Sequence, residues 1–470
     1  MSLKQNFTFK AILTILNPLI GALTFPYVSR ILGVENLGLV DFVDNTINYF
    51  LLFAMMGIGT IGVRAIASNV GSRNELSKTF SNLLGINLCF TIVMLVAYLL
   101  LITFVSKFSQ FSELFYIGIA KILFTTLLIE WFFTGIEDFK FITLRTLLIK
   151  VIYVACVFIF IKEPSDYLLY FILTVLTIVV NAIVNLLYSR NFVSIEFKEL
   201  LSCRFLKENI QIGVYAIMTS MYLTFNVMYL GLVTNNQQVG FYTSAYRLYT
   251  LILGLFSAFS HVMFPRMSNL LANGNNEEYQ KYINNSFEFV ILFSVPMAVC
   301  GVILAPELIY LLCGAGYEGA ILPMRIILPA LIPVGLAHVL VMMVLMPQKN
   351  DKLLLIASMI GALTSIVLNF SIISKSGSIG SAIVLLAAEI IVTGIYLFYS
   401  IKSSLVKLPW RSFVKAIIFT IPCAGVCMLL QYMISNKYVV LMISISVSVI
   451  LYIIENYKTV KSYLTPNNFK

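Results

Sequence analysis

The residues that could do chemistry in this chain are ionisable side chains inside long apolar stretches. Such groups are costly in lipid and normally face a protein interior or an aqueous cavity. The cationic candidates are Lys121, Lys150, Arg247 and Arg325. Arg247 is the clearest, because it lies about 12 Å into its stretch at about 1.5 Å per residue. Buried cations suit a phosphate-bearing ligand, whose oxygens match guanidinium groups; for Lys121 and Lys150, pairing with a carboxylate is the alternative.

The acidic candidates in the apolar stretches are Asp41, Asp44, Glu130, Glu288 and Glu389. Glu389 would cost most to bury, because it lies at the centre of its stretch. A carboxylate there could bind Na⁺ or a proton that drives a coupled cycle, or could neutralise a neighbouring Lys. Asp41 and Asp44 are spaced i, i+3 and share a helix face near an interface, where both could simply be solvated.

No residue pattern predicts a metal site, a bound cofactor or a catalytic centre. The seven cysteines contain no CxxC pair, and most lie inside apolar runs, so we interpret them as small core residues. The only histidines, His261 and His338, are far apart and belong to no zinc-binding motif.

The composition indicates which elements must position these side chains. Of 470 residues, 60% are hydrophobic and 11% charged, and the mean hydropathy is +0.95. Lipid must therefore be the main solvent, and the sequence predicts an all-α, polytopic integral membrane protein. The net charge of +10 follows from basic loops on one side of the membrane and does not require nucleic acid as a partner.

Apolar runs of about 20 residues predict fourteen transmembrane helices. Their ranges are 10–31, 39–63, 80–105, 113–136, 141–161, 167–189, 210–233, 239–264, 283–305, 319–346, 353–373, 379–400, 413–432 and 438–455. With these spans, 22 of the 31 Lys and Arg residues fall on the side of the N-terminus and five on the other. That asymmetry predicts that both termini are cytoplasmic.

The longest polar stretch and an internal repeat predict the domain organisation. Residues 1–189 form an N-terminal lobe, 190–209 a cytoplasmic linker, 210–400 a C-terminal lobe, and 401–470 two further helices with a cytoplasmic tail. An offset of 202 residues places Arg64 on Arg266 and Gly38 on Gly240. Parallel repeats of this kind predict two six-helix lobes related by pseudo-two-fold symmetry, with a substrate site between them.

Four segments resemble a known family: FPYVSRILGVENLGLVDF at 25–42, GIGTIGVRAIA at 57–67, IEWFFTGIEDFKFITLR at 129–145 and VGFYTSAYRLYTLILGLFSAFSHVMFPRMSNL at 239–270. They are similar to the Wzx-type O-antigen and polysaccharide flippases of the MATE-like multidrug/oligosaccharidyl-lipid/polysaccharide superfamily. The resemblance implies fourteen helices around a cationic cavity that opens alternately to each side. It also implies that Arg30, Arg64 and Arg247 line this cavity; for Arg30, an interfacial anchor is the alternative.

The resemblance further implies the substrate, the partners and the location. The substrate would be an undecaprenyl-pyrophosphate-linked glycan, carried to the periplasmic face of a bacterial inner membrane among membrane lipids. A polysaccharide polymerase and chain-length proteins would be partners. An ion-coupled drug or cation antiporter of the MATE type is the alternative, but it should present an acidic or aromatic cavity. A membrane glycan polymerase or ligase should hold catalytic residues in a large periplasmic loop, and no predicted loop is that long.

Overall fold

The computed structural model describes residues 3–403, 406 and 409–455, so the predicted tail after residue 455 lies outside the described residues. The described chain is helical and contains no β-strand. Eleven helices in this part are long and apolar enough to cross a membrane. The prediction of an all-helical polytopic protein is thus confirmed, whereas the count of fourteen and the symmetry of the lobes stay predictions.

The described residues form two compact units that divide between Gly240 and Phe241, inside one long helix. The predicted boundaries of the lobes and linker stay a prediction. The helices that begin in the first unit are α1 (Leu3–Ala54), α2 (Ile58–Ala67), α3 (Arg73–Phe104), α4 (Ser106–Ser109), α5 (Ser112–Thr126), α6 (Glu130–Gly135), α7 (Phe139–Phe160), α8 (Tyr167–Ser189), α9 (Phe197–Leu200), α10 (Leu206–Val233) and α11 (Asn236–Ala272).

The second unit contains the rest of α11 and eight further helices. These are α12 (Asn276–Ile303), α13 (Ala305–Cys313), α14 (Ile321–Ile327), α15 (Leu331–Val339), α16 (Asp351–Leu368), α17 (Ser374–Lys402), α18 (Trp410–Met433) and α19 (Lys437–Glu455). Short 3₁₀ turns precede and follow α14, and π-helical turns follow α15 and α16.

Two of the longest helices are interrupted by a glycine with non-helical dihedral angles. Gly33 in α1 has φ 74° and ψ 169°, and Gly377 in α17 has φ 55° and ψ −130°. Positive φ strains residues that carry a Cβ but is accessible to glycine. Both glycines lie in gaps between predicted spans, at 32–38 and 374–378, so the chain changes direction where the sequence predicts loops.

Polar side chains fix where several helices begin. The Ser72 side chain accepts a hydrogen bond from the Glu75 amide at the start of α3, and Asp138 accepts one from the Phe141 amide at the start of α7. Such caps satisfy amide groups that have no partner within the helix.

Three predicted spans are wrong: the second extends past the end of its helix, and the fourth and tenth are not continuous helices. The second was expected to reach residue 63, but α1 ends at Ala54 and α2 starts after Gly57, which has φ 68°. The fourth is broken at residues 127–129, between α5 and α6. The tenth is divided into short pieces, because Pro323, Pro329 and Pro333 cannot donate backbone hydrogen bonds.

Close backbone contacts hold α1 against two later helices of the first unit. A Cβ placed on Gly38 would lie 1.9 Å from the backbone oxygen of Asn236, and one on Gly231 would lie 2.0 Å from the Phe42 ring. Lipid supplies no hydrophobic drive for helix association, so small residues that permit close packing contribute directly to stability. The second half of α1, which carries Asp41 and Asp44, is therefore held in place by its neighbours.

Candidate functional site

A buried ion pair joins α5 to the second half of α1. The Lys121 ammonium lies 2.5 Å from Oδ1 of Asp44 and donates a 2.9 Å hydrogen bond to Oδ1 of Asn48. The Asn48 amide donates in turn to Oδ2 of Asp44, at 3.2 Å. Only 8% of the Lys121 side chain is exposed, against 29% for Asp44. The structure thus brings together two predicted site residues as an ion pair, which was the alternative interpretation of Lys121.

Helix geometry explains how this cluster forms. Asp44 and Asn48 are four residues apart on α1, so they lie on one helix face and can both reach the same ammonium group. A lysine ammonium has three N–H donors, and among the described residues Asp44 and Asn48 occupy two of them. The third donor is chemically able to meet an anionic group or a water molecule.

A second polar network surrounds Arg145 on α7. Its guanidinium donates to Oε1 of Glu130 at 2.9 Å, to the Thr146 hydroxyl at 3.0 Å, and to the side-chain oxygen of Asn185. The Arg145 side chain is 4% exposed, whereas that of Glu130 is 50% exposed. The sequence analysis singled out Glu130 but missed Arg145, because Arg145 lies close to the start of its span and was grouped with the basic residues on the side of the N-terminus.

The Arg145 network spans the break between α5 and α6. Asn185 on α8 donates a hydrogen bond to the Leu128 carbonyl, which the break leaves outside the helical pattern. The next residue, Ile129, has φ 43°, a left-handed conformation that costs a β-branched residue roughly 1–2 kcal/mol. Backbone breaks within a membrane need such polar partners. Asn185 and Arg145 therefore stabilise a strained break in the fourth predicted span.

The other predicted cations of the first unit are more accessible than Lys121, and Lys150 lies within electrostatic range of Glu130 in the Arg145 network. Arg30 on α1 is exposed and donates to the Pro26 carbonyl at 2.9 Å. Arg64 on α2 is also exposed, and Lys150 on α7 is half-buried. Asp41 is buried, so full solvation of the two α1 carboxylates is not what the structure shows.

In the second unit, the predicted site residues lie on four different helices. Arg247 on α11 and Glu288 on α12 are half-buried. Glu389 on α17 is buried and lies within electrostatic range of the Tyr246 phenol. Arg325 on α14 is exposed, and its Nε donates to the Val302 carbonyl at 3.2 Å. This unit therefore holds buried and half-buried charges of both signs.

The second unit also contains a buried carboxylate that the sequence analysis did not single out. Glu307, near the start of α13, accepts a 2.8 Å hydrogen bond from the Gln431 amide of α18. Gln431 donates a second bond, of 2.9 Å, to the Ile303 carbonyl. The sequence feature that could have indicated this contact is Gln431, a polar residue within an apolar run. Across the described residues, no group of three or more His, Cys, Asp and Glu side chains could hold a metal ion.

Comparisons with known proteins place this architecture in a family. A family model described as "Polysaccharide biosynthesis protein" matches residues 3–271, more than half of the chain. The chain belongs to this family. Two relatives named "Putative O-antigen transporter" are each 24% identical to it. The one from Escherichia coli (strain K12) aligns over 85% of this chain and 97% of its own length, and the one from Shigella dysenteriae over 83% and 98%.

Solved structures with this fold are transporters and flippases. A structure of the lipid II flippase MurJ, in an inward closed conformation, matches 98% of this chain and all of its own, with a TM-score of 0.75 at 17% identity. An inward-facing multidrug resistance MATE family transporter of the MOP superfamily matches 82% of this chain and 94% of its own, with a TM-score of 0.60 at 18% identity. At these identities the comparison establishes the fold.

Proposed function

We propose that this protein is a flippase that carries undecaprenyl-pyrophosphate-linked oligosaccharide units from the cytoplasmic to the periplasmic face of a bacterial inner membrane. The observation that carries the proposal is the near full-length alignment with two relatives named for O-antigen transport. The fold shared with a lipid II flippase supports it, because lipid II is itself a lipid-linked glycan. The protein would act as a transporter and not as an enzyme.

The intramembrane cations give this proposal a chemical basis. Arg64 is exposed and Arg247 half-buried, each on an apolar helix. A guanidinium can form two parallel hydrogen bonds with phosphate oxygens, and the interaction is stronger where water is partly excluded. We propose that Arg30, Arg64 and Arg247 contact the pyrophosphate during an alternating-access cycle. Lys121, Lys150 and Arg325 are further candidates, and Lys121 would act while paired with Asp44.

A transport cycle needs a free-energy source, and Glu389 is the foremost candidate for coupling. Its carboxylate is buried on α17, and burial makes a charged carboxylate costly unless a cation or a proton neutralises it. We propose that Na⁺ or a proton binds there, with Asp41, Asp44 and Glu288 as further candidates. Flipping in vesicles of Glu389→Gln should lose its dependence on the ion gradient; retained dependence would exclude Glu389.

The first test of the proposed function is genetic. Deletion of the gene should block surface polysaccharide and make lipid-linked repeat units accumulate on the cytoplasmic face. Unchanged polysaccharide together with altered drug tolerance would contradict the proposal and favour an antiporter of the MATE type, whose fold this chain shares.

Substitutions test the cation assignment separately. Arg247→Ala and Arg64→Gln should abolish export at normal membrane levels, whereas Arg247→Lys should retain part of it through the remaining charge. Lys437→Gln, at the exposed start of α19, is a matched loss of one charge that should leave export unchanged. Full export by Arg247→Ala would remove that residue from the site and leave the substrate assignment open to the genetic test.

A further inference from the structure

The face of α18 that points away from its helix neighbours has an unusual combination of side chains. Trp410, Val414 and Ile418 form an apolar row at four-residue spacing, and Arg411 and Lys415 form a basic row beside it. A shallow surface cavity of about 410 Å³ lies along these two rows. The charged residues of α18 are confined to its first two turns, so the surface changes from basic to apolar along the helix axis.

The opposite face of α18 accounts for its packing. The buried residues of this helix are Ser412, Ala416, Thr420, Cys423 and Cys427. Trp410, in contrast, is 67% exposed, and Val414 and Ile418 are exposed too. Tryptophan and basic residues concentrate where the hydrocarbon core meets the head groups. The basic row therefore lies where α18 enters the membrane boundary.

The local charge is unbalanced over a long stretch of sequence. Between Glu389 and the end of α18 there is no Asp or Glu, while four basic residues occur, namely Lys402, Lys407, Arg411 and Lys415. Clusters of Lys and Arg at the end of a membrane helix attract anionic lipids, by about 1 kcal/mol per residue. The Lys415 ammonium lies 5.7 Å from the centre of the Phe419 ring, so its stem runs along apolar surface while its charge remains near the interface.

We propose that this face of α18 is a binding site for an anionic glycerophospholipid. Arg411 and Lys415 contact the phosphate of the head group, Trp410 lies beside the glycerol region, and the acyl chains run along Val414 and Ile418. The charge of the lipid is the feature recognised, so a zwitterionic lipid with the same acyl chains binds more weakly. The site is separate from the proposed flipping cycle, because none of its residues is assigned to the transported substrate.

Trp410 provides a direct probe of the lipid at this site. The chain has two tryptophans, and the other, Trp131, is buried. The full chain is reconstituted into vesicles of four parts phosphatidylcholine and one part phosphatidylglycerol, with brominated acyl chains on one lipid at a time. Subtracting the fluorescence of Trp410→Phe vesicles isolates the Trp410 signal, whose quenching reports which lipid lies beside the indole.

Quenching by brominated phosphatidylglycerol should exceed that expected from its share of the bilayer. Two cations at about 1 kcal/mol each correspond to about 30-fold preferential binding. Arg411→Gln with Lys415→Gln should reduce the preference to that of the bulk bilayer, and about 0.5 M salt should weaken it in the native chain. The matched control Lys437→Gln should leave it unchanged. Quenching by brominated phosphatidylglycerol no greater than its one-fifth share of the bilayer predicts, or a preference that survives in the double variant, would overturn the proposal.

Discussion

Replacement of Asp44 by Asn tests whether the buried Lys121 pair is structural. The substitution keeps the size of the side chain but removes the charge that lies 2.5 Å from the ammonium. Since only 8% of the Lys121 side chain is exposed, water can replace the lost partner only in part. Breaking one side of a buried pair costs about 3–5 kcal/mol. We expect the lower end of this range, because Asp44 itself is 29% exposed and the site is partly open.

The reciprocal substitution should cost less. Lys121→Met leaves Asp44 with its 3.2 Å hydrogen bond from Asn48 and with part of its surface accessible. We expect a loss of about 1–2 kcal/mol, typical of an incompletely satisfied polar group. The double variant carries no charge at the site, so it should be more stable than the sum of the two single losses predicts.

The free energy of unfolding is measured by titrating the purified protein in mixed micelles with sodium dodecyl sulfate, and export is measured in cells that lack the native gene. A change below about 0.5 kcal/mol for Asp44→Asn, as for a surface substitution, would refute the argument from burial. Additive losses in the double variant would show that the two charges do not interact. If the double variant is stable but does not export, Lys121 or Asp44 also acts in transport, and export by each single variant separates the two.

Three further predictions follow from particular contacts. Asn185→Ala removes the hydrogen bond to the carbonyl at the break in the fourth span and should cost about 1–3 kcal/mol in the same titration; an unchanged midpoint would contradict a structural role. Gly38→Ala places a methyl group against backbone at 1.9 Å and should cost about 1–3 kcal/mol, whereas Gly59→Ala, with open space around it, should be tolerated. A charged, membrane-impermeant maleimide should label the exposed Cys203 from the cytoplasmic side only; Cys89, exposed within the apolar helix α3, should stay unlabelled. Labelling of Cys203 from the outside would reverse the predicted topology.

The sequence could predict the helices because the bilayer imposes a length and a composition on every span. It could not predict their internal breaks equally well. Gly33 and Gly377 lie in short gaps between apolar runs, and there the expected loops coincide with the observed kinks. The break before Glu130 has no glycine or proline, so it left no signal. It depends on hydrogen bonds from α7 and α8, which are contacts between residues distant in sequence.

The same distinction applies to the candidate site. Lys121 and Glu389 could be singled out, because a charge inside an apolar run is costly wherever the run lies. The partner of Lys121 could not, because Asp44 is 77 positions away and only the packing of α5 on α1 brings the two together. Asn48 and Asn185 show what the search omitted: a buried amide in an apolar run also needs partners and indicates a polar network.

The predicted internal repeat favours one of two aligned arginines as the proposed substrate ligand. Arg266 in the second unit donates to Glu278 at 3.3 Å and lies 4.3 Å from the centre of the Tyr282 ring. The offset of 202 residues places Arg64 on Arg266, but it places Leu76 on Glu278. The first unit therefore keeps the cation of the repeat while replacing its acidic neighbour by an apolar residue. An arginine already satisfied by a carboxylate gains little from a phosphate, since the new contact must replace the old one. Of the aligned pair, we therefore expect Arg64 to be the one that contacts an anionic ligand.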